Sequence, residues 1–162
     1  MSGAGRWVLD VGCWMFMSSL MRFLGIDYGT RRIGLAHGDE LGIATSLPAL
    51  TDAEPVKRRA ALAAVVKQRR IDEIVLGYPY NMDGSAGFKA KEVDAFAESL
   101  RKEFGLPVHL VDERLTSHMA EAGMTQMELR EIRAQGIIDS RAAAIVLQDY
   151  LNERFPPPLP EF

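Results

Sequence analysis

The hydrophobic pattern of the chain changes its period after about residue 50. Three short apolar runs come first, over 22–27, 32–38 and 41–48, and short polar or glycine-containing turns separate them. Runs of this length with short links predict three successive antiparallel strands. Pro48 falls in the third run and predicts an edge strand, because proline cannot donate a hydrogen bond to a neighbouring strand.

From residue 55 onward, apolar positions at helical spacing alternate with short apolar runs. The pattern predicts helices over 55–70, 88–104 and 139–154, and strands over 71–77 and 107–111. Four apolar positions of the first helix share this spacing: Val56, Ala60, Ala63 and Val66. Gly105 stands where glycine commonly ends a helix, and a looser helical region has a possible start at Thr125. The order of elements predicts an α/β fold, a mixed five-stranded sheet with helices on both faces.

Length and composition restrict the class of protein. The 162 residues suit one domain with a proper core, and the formal net charge of −3 excludes a strongly basic nucleic-acid coat but not a local basic groove. Cys13 is the only cysteine, which excludes an intrachain disulfide and a cysteine-built zinc site. The basic residues of the first predicted helix indicate a solvated face, with a phosphate-facing patch as the alternative.

The two ends of the chain differ from the rest. Residues 1–20 form an apolar stretch broken by Asp10, too short and interrupted to span a membrane. We expect translation to begin at Met17 or Met21, so that 1–20 is a prefix outside the core; an intact mass that includes Met1 would refute this. The expected division is therefore the prefix, a domain over 21–154, and a proline-rich extended tail over 155–162.

Acidic residues stand at the ends of predicted strands and at the start of the last helix. Asp27 ends the first strand, Asp112 and Glu113 follow the last strand, and Asp139 opens the last helix. If the first strand is central and parallel to the later two, these side chains meet at one edge of the sheet. Gathered carboxylates repel one another unless a cation such as Mg²⁺ or Mn²⁺ joins them, and such a site can hydrolyse phosphodiesters. Alternatively, Asp27 bonds its own turn, Asp139 caps its helix, Asp112 caps the turn after its strand, and Glu113 pairs with a surface base.

Five motifs in order resemble the YqgF (RuvX) family of the ribonuclease-H-like, Holliday-junction-resolvase superfamily. They lie at 25–29, 32–36, 77–85, 112–117 and 139–143, and the resemblance covers residues 21 to about 151. It implies a ribonuclease-H-like fold and a cytoplasmic bacterial nuclease, linked to trimming the 5′ end of precursor 16S ribosomal RNA; junction resolution is the older proposal for the family. Asp27, Glu113 and Asp139 match the family's metal-binding acidic residues, and Asp112 is the alternate to Glu113.

Nucleic-acid contacts are predicted around the acidic edge. The loop over 77–87 carries Tyr78 and Tyr80, which could stack on bases, and Asn81 and Ser85, which offer hydrogen bonds; the alternative is a polar turn that caps the next helix. Three further residues flank the predicted site and could hold phosphates or form surface salt bridges: Arg31, Arg32 and Arg114. The expected partners are precursor ribosomal RNA or branched DNA, with a ribosomal particle as a further possibility and no membrane. A monomer and a homodimer both remain open.

Two other functions compete with a nuclease. The Asp-x-Gly-Thr turn at 27–30 also occurs in phosphotransferases of the actin and sugar-kinase type, but these normally need a second such domain, and the chain has no duplicate of its first strand. A non-catalytic nucleic-acid-binding module is the other alternative. The complete set of acidic residues favours a catalytic site.

Overall fold

A computed structural model describes residues 20–81, 87–113 and 137–156, without the side chains of residues 137 and 138. Several features predicted from the sequence lie outside these residues. They are most of the prefix, Ser85, Arg114, the helix start at Thr125 and the last six residues of the tail.

The described elements follow the predicted order. They are β1 (Arg22–Tyr28), β2 (Ile33–Asp39), β3 (Thr45–Leu50), α1 (Pro55–Gln68), β4 (Glu73–Tyr78), α2 (Phe88–Phe104), β5 (Val108–Asp112) and α3 (Ile137–Arg154). The bounds of α2 agree with the prediction, and Gly105 ends this helix with a left-handed φ of 63°. None of the helices in the described part of the chain is long and apolar enough to cross a membrane.

The sheet has the strand order β3-β2-β1-β4-β5, with β1 at its centre. β1, β2 and β3 pair antiparallel, whereas β4 runs parallel to both β1 and β5. This confirms the mixed five-stranded sheet and the edge position of the strand that holds Pro48. Because β1, β4 and β5 are parallel, their carboxyl ends meet at one edge, which we call the acidic edge.

Helices cover both faces of the sheet. One apolar core forms under α1 and α2 and includes Leu24, Ile26 and Leu62; the other forms under α3 and includes Phe23 and Leu147. The packing of α3 is close, since a β-carbon added at Gly25 of β1 would fall 2.8 Å from the Ala143 carbonyl oxygen. Helices therefore hold the sheet from both sides, and this packing also holds the residues at its acidic edge in place.

A buried polar cluster ties α3 to the opposite end of β4. Glu73 is 7% exposed, and its carboxylate accepts hydrogen bonds from Arg154, with Nη2 to Oε1 at 3.0 Å, and contacts His109 Nε2 at 2.8 Å. Burial alone would raise the pKa of Glu73, but the hydrogen bonds from Arg154 and His109 lower it. The guanidinium of Arg154 also stacks on the ring of Phe23, 5.3 Å from its centroid.

Two details of the predicted elements were wrong. The third strand begins at Thr45 rather than 41, because Gly42 adopts a φ of 81° in a turn closed by its N–H to the Asp39 carbonyl; Leu41 and Ile43 are therefore exposed. The side of α1 that packs against the sheet also differs from the predicted side.

In α1, Val56 is 79% exposed, whereas Leu62, Val66 and Arg58 are buried. Because an alanine-rich helix has no strongly apolar face, the large side chain of Leu62 determines which side of α1 packs against the sheet.

Candidate active site

Asp27 lies at the lip of the acidic edge, where β1 ends. Its backbone pairs with Gly34 of the neighbouring β2. The turn between the two strands is closed by the backbone, since the Gly29 N–H donates to the Arg32 carbonyl oxygen over 2.9 Å. A β-carbon at Gly29 would fall 2.6 Å from that oxygen, which explains the glycine. The Asp27 carboxylate instead forms a hydrogen bond with the side chain of Glu113.

Glu113 brings the second carboxylate to the same edge. It follows β5 directly, and its backbone N–H donates to the Tyr78 carbonyl oxygen over 3.2 Å. Its side chain lies over Gly77, where an added β-carbon would fall 2.0 Å from Oε1. Only glycine leaves room for the carboxyl at this point of β4. From there Glu113 forms a side-chain hydrogen bond with Asp27.

The Asp27–Glu113 pair holds a proton. Burial, the negative charge of Asp27 and the hydrogen bond to Asp27 raise the pKa of Glu113 from 4.5 to about 8. Burial also raises the pKa of Asp27, although the hydrogen bond from Glu113 acts in the opposite direction. The neutral Glu113 carboxyl therefore donates to the Asp27 carboxylate at neutral pH. Two acids that share a proton in this way are poised to release it to a base or to exchange it for a cation.

Asp139 approaches the pair from the first turn of α3. The helix already begins at Ile137, so Asp139 is inside the helix and is not its cap. The helix touches β2, since a β-carbon at Gly34 would fall 2.0 Å from the Asp139 carbonyl oxygen. The negative charge of Asp139 contributes to raising the pKa of Asp27. Arg32 Nε lies 3.2 Å from Asp139 Oδ2 and partly neutralises it.

The donors at this edge suit a hard divalent cation. All three side chains offer oxygen, the ligand that Mg²⁺ and Mn²⁺ prefer. Asp139 Oδ2 is buried and accepts no hydrogen bond from the described residues, despite its ion pair with Arg32. Within 20–81, 87–113 and 137–156, however, no group of three or more acidic, histidine or cysteine side chains is already arranged as a metal site. A cation here would replace the shared proton of the Asp27–Glu113 pair.

Asp112 and Glu113 are adjacent acidic residues at the end of β5, and Glu113 is the one that forms the hydrogen bond with Asp27. Asp112 is the last residue of β5 and lines a separate groove on the α3 side, together with Asp149 and Glu153. The charge of Asp112 still reaches Glu113 and contributes to raising its pKa.

The residues predicted to contact nucleic acid differ in their exposure to solvent. The prediction that Tyr78 stacks on bases was wrong, because β4 extends through Tyr78, which is 6% exposed and donates its hydroxyl to Asp94 Oδ2 over 3.1 Å. Tyr80 is 40% exposed, and Asn81 is exposed beside Gly87, which precedes α2. Arg31 is exposed next to the acidic edge.

Sequence reasoning missed two residues at the start of α2. The positive charge of Lys89 lowers the pKa of both Asp27 and Glu113, which puts this ammonium near the pair. Phe88 is 81% exposed. The sequence indicates this exposure, because Phe88 lies on a different side of the helix from the buried apolar residues Val93, Ala97 and Leu100.

Comparisons with known proteins point to one family. The model of the RuvX family, described as Holliday junction resolvase, matches residues 21–153. A protein of Opitutus terrae named "Putative pre-16S rRNA nuclease" is 62% identical over 141 residues, 86% of this chain and 97% of that protein. A Synechococcus sp. protein of the same name is 42% identical over 135 residues, 83% of this chain and 91% of that protein.

A solved structure shows the same fold. T. thermophilus RuvC in complex with Holliday junction substrate superposes with a TM-score of 0.51 at 20% identity, over 84% of this chain and 96% of that one. The resemblance seen in the five sequence motifs is thus matched by the family comparison and by the ribonuclease-H-like sheet. The chain belongs to the RuvX (YqgF) family.

Proposed function

We propose that this protein is a metal-dependent endonuclease that hydrolyses phosphodiester bonds at the acidic edge. The observation that carries the proposal is the Asp27–Glu113 pair, held by a hydrogen bond at the carboxyl ends of parallel strands with Asp139 beside it. Burying a pair of acids costs stability, even with the positive charge of Lys89 nearby. An apolar contact at the same place would stabilise the fold better. Such a cost is typical of a functional site.

Asp27, Glu113 and Asp139 would hold Mg²⁺ or Mn²⁺, which supplies an activated water and stabilises the leaving oxygen. To serve as a ligand Glu113 would have to be ionised, so cation binding would strengthen as pH rises toward 8. Asp139 would offer the cation the carboxylate that forms an ion pair with Arg32. The guanidinium groups of Arg32 and Arg31 and the ammonium of Lys89 would be positioned to contact phosphate oxygens.

The substrate we propose is the 5′ end of precursor 16S ribosomal RNA, and the site of action is the cytoplasm. Relatives named "Putative pre-16S rRNA nuclease" support the choice of precursor 16S RNA, and one of them is 62% identical over 97% of its length. A four-way DNA junction is the second candidate, because the family model carries the description Holliday junction resolvase. Both substrates require the same phosphodiester chemistry, so the site residues are common to the two.

A cleavage assay with paired variants tests the proposal. A labelled precursor 16S leader and a labelled four-way junction would be incubated with Mn²⁺, Mg²⁺ or a chelator. We expect metal-dependent cleavage by the wild type and none by Asp27→Asn or Glu113→Gln. Asp112→Asn is the matched control, because it removes a carboxylate from the adjacent residue but from the separate groove; it should retain cleavage.

Three results would contradict parts of the proposal. Equal cleavage by the wild type and Asp27→Asn would show that the acidic edge is not the active site. Loss of cleavage in Asp112→Asn with retention in Glu113→Gln would reverse the assignment of the two adjacent residues. Metal-free binding of RNA with no cleavage at any metal concentration would instead favour a nucleic-acid-binding module.

A further inference from the structure

A cavity of about 660 Å³ lies beside the acidic edge, between the β1–β2 turn and the segment that joins β3 to α1. Its walls include Thr30, Arg31 and Arg32 from the turn, Thr51 from the joining segment and Arg58 from α1. The cavity is a separate site from the Asp27–Glu113 pair. Arg32 belongs to both places, because it lines the cavity and contacts Asp139 at 3.2 Å.

Arg58 holds the walls of the cavity together. It is only 8% exposed, although the sequence placed it on a solvated helix face. Its Nη1 donates to the Asp52 carbonyl oxygen over 2.6 Å, and its Nη2 donates to the Thr30 carbonyl oxygen over 2.8 Å. One guanidinium thus ties the β1–β2 turn to the segment before α1, and the cavity is preformed rather than assembled by a ligand.

The charge of the cavity is positive. Among the described residues that line it, three carry guanidinium groups and none is acidic. The nearby Glu54 carboxylate is engaged by Lys57, 2.8 Å away, and the first turn of α1 contains no acidic residue. Arg32 is partly neutralised by Asp139. Arg31 is exposed and forms no ion pair with the described residues, so it is the main positive charge that faces solvent here. Hydroxyls of Thr30 and Thr51 add hydrogen-bond donors, a combination suited to a phosphate group.

We propose that this cavity binds a backbone phosphate of the nucleic-acid strand, adjacent to the phosphodiester that is cut. The inference rests on the proposed nuclease function and names the path of its substrate. The strand crosses the acidic edge from the arginine cavity on the β3 side toward Tyr80 and Phe88 on the β4 side. Phosphates are held on the first side. On the second side Phe88 is 81% exposed, and Tyr80, which packs on Tyr78, is 40% exposed, so both rings present a surface on which bases stack.

Binding measurements on the full-length chain test this inference independently of catalysis. A fluorescein-labelled single-stranded RNA would be titrated in chelator, so that no cleavage occurs, and anisotropy followed at several salt concentrations. We expect Arg31→Ala to weaken binding about three- to tenfold at low salt and to reduce the slope of log K against log salt by about 0.7, the value for one contact to a single strand. Thr51→Val, which removes only a hydroxyl, should weaken binding by a smaller factor.

Arg69→Ala is the matched control. Arg69 is exposed at the far end of α1, about 16 Å along the helix from Arg58 at 1.5 Å per residue, and the change removes the same charge. We expect wild-type affinity from this variant. An equal loss in both arginine variants would show a general charge effect and overturn the proposal, as would wild-type affinity and slope in Arg31→Ala.

Inorganic phosphate and a mononucleotide serve as the second pair of probes. If either stabilised the wild type but not Arg31→Ala against heat, while the RNA affinity of Arg31→Ala stayed normal, the cavity would take a free phosphate compound and the proposal would be overturned. The two proposals fail separately. Weakened binding in Arg31→Ala with full cleavage by Asp27→Asn would keep the phosphate site and reject the acidic edge as the active site.

Discussion

Replacing Glu113 with glutamine should stabilise the protein in the absence of metal. At neutral pH Glu113 is protonated and donates to Asp27, and a glutamine amide donates in the same position. The amide carries no charge at any pH. The variant therefore keeps the hydrogen bond and loses the cost of ionising a buried acid next to another one.

The size of the effect follows from the pKa of Glu113, which is about 8 in the folded protein against an ordinary 4.5. Because the folded state holds the proton more tightly than the unfolded state, wild-type stability falls as pH rises from about 4.5 to 8. At about 1.4 kcal/mol per pKa unit the loss is at most roughly 5 kcal/mol. Because Glu113 is only partly buried, screening by solvent reduces this to about 2–3 kcal/mol.

Urea unfolding in chelator at pH 5 and at pH 8 measures this difference. We expect Glu113→Gln and the wild type to agree within about 1 kcal/mol at pH 5, and the variant to be about 2–3 kcal/mol more stable at pH 8. Saturating Mn²⁺ should reverse the order, because only the wild type offers both carboxylates and gains the linked stabilisation. A variant that is less stable than the wild type at both pH values, with a parallel pH profile, would refute the shared proton.

Two further changes test how the site is supported. Gly34→Ala should cost about 2–3 kcal/mol and lower cleavage at least tenfold, because the added methyl would fall 2.0 Å from the Asp139 carbonyl oxygen and displace α3; thermal unfolding and the cleavage assay measure both effects. Glu73→Gln should cost about 2 kcal/mol at pH 7 by breaking the ion pair with Arg154. Since the folded-state pKa of Glu73 is lowered, this difference should shrink in urea unfolding as pH falls below about 4.5.

Each change has its own control. Gly105→Ala places a methyl in open space at a φ of 63°, so it should cost only about 1 kcal/mol and leave cleavage unchanged. If Gly34→Ala behaved in the same way, close packing of α3 on β2 would not be what positions Asp139. For Glu73, a difference that stayed constant down to pH 3 would show that the carboxylate charge contributes nothing.

Much of the acidic edge was predictable because it depends on topology. The hairpin at Asp27 follows from two apolar runs with a glycine turn, and parallel β1, β4 and β5 bring their carboxyl ends together whatever their side chains. The choice between Asp112 and Glu113 was not predictable, because it depends on the residue at which β5 ends. A shift of one residue exchanges the two side chains between faces.

The errors share a physical cause, which is that tertiary contacts override local pattern. Tyr78 follows a glycine and precedes a proline, as a loop residue would, but pairing with Asp112 extends the strand and buries it. Arg58 belongs to a basic stretch that composition assigns to solvent. Its burial is stable only because carbonyl oxygens from two other segments accept its hydrogen bonds, and no local sequence pattern shows them.

The three carboxylates come from segments far apart in the chain, and this affects when activity can appear. Asp27 is synthesised early, Glu113 much later, and Asp139 only with α3. A ribosome-bound chain can form the first hairpin but cannot assemble the acidic edge until α3 has left the exit tunnel and packed on β2. Non-local contacts of this kind also form late in folding, since chain entropy opposes them. The acidic edge is therefore incomplete in any nascent chain that has not yet been made through α3.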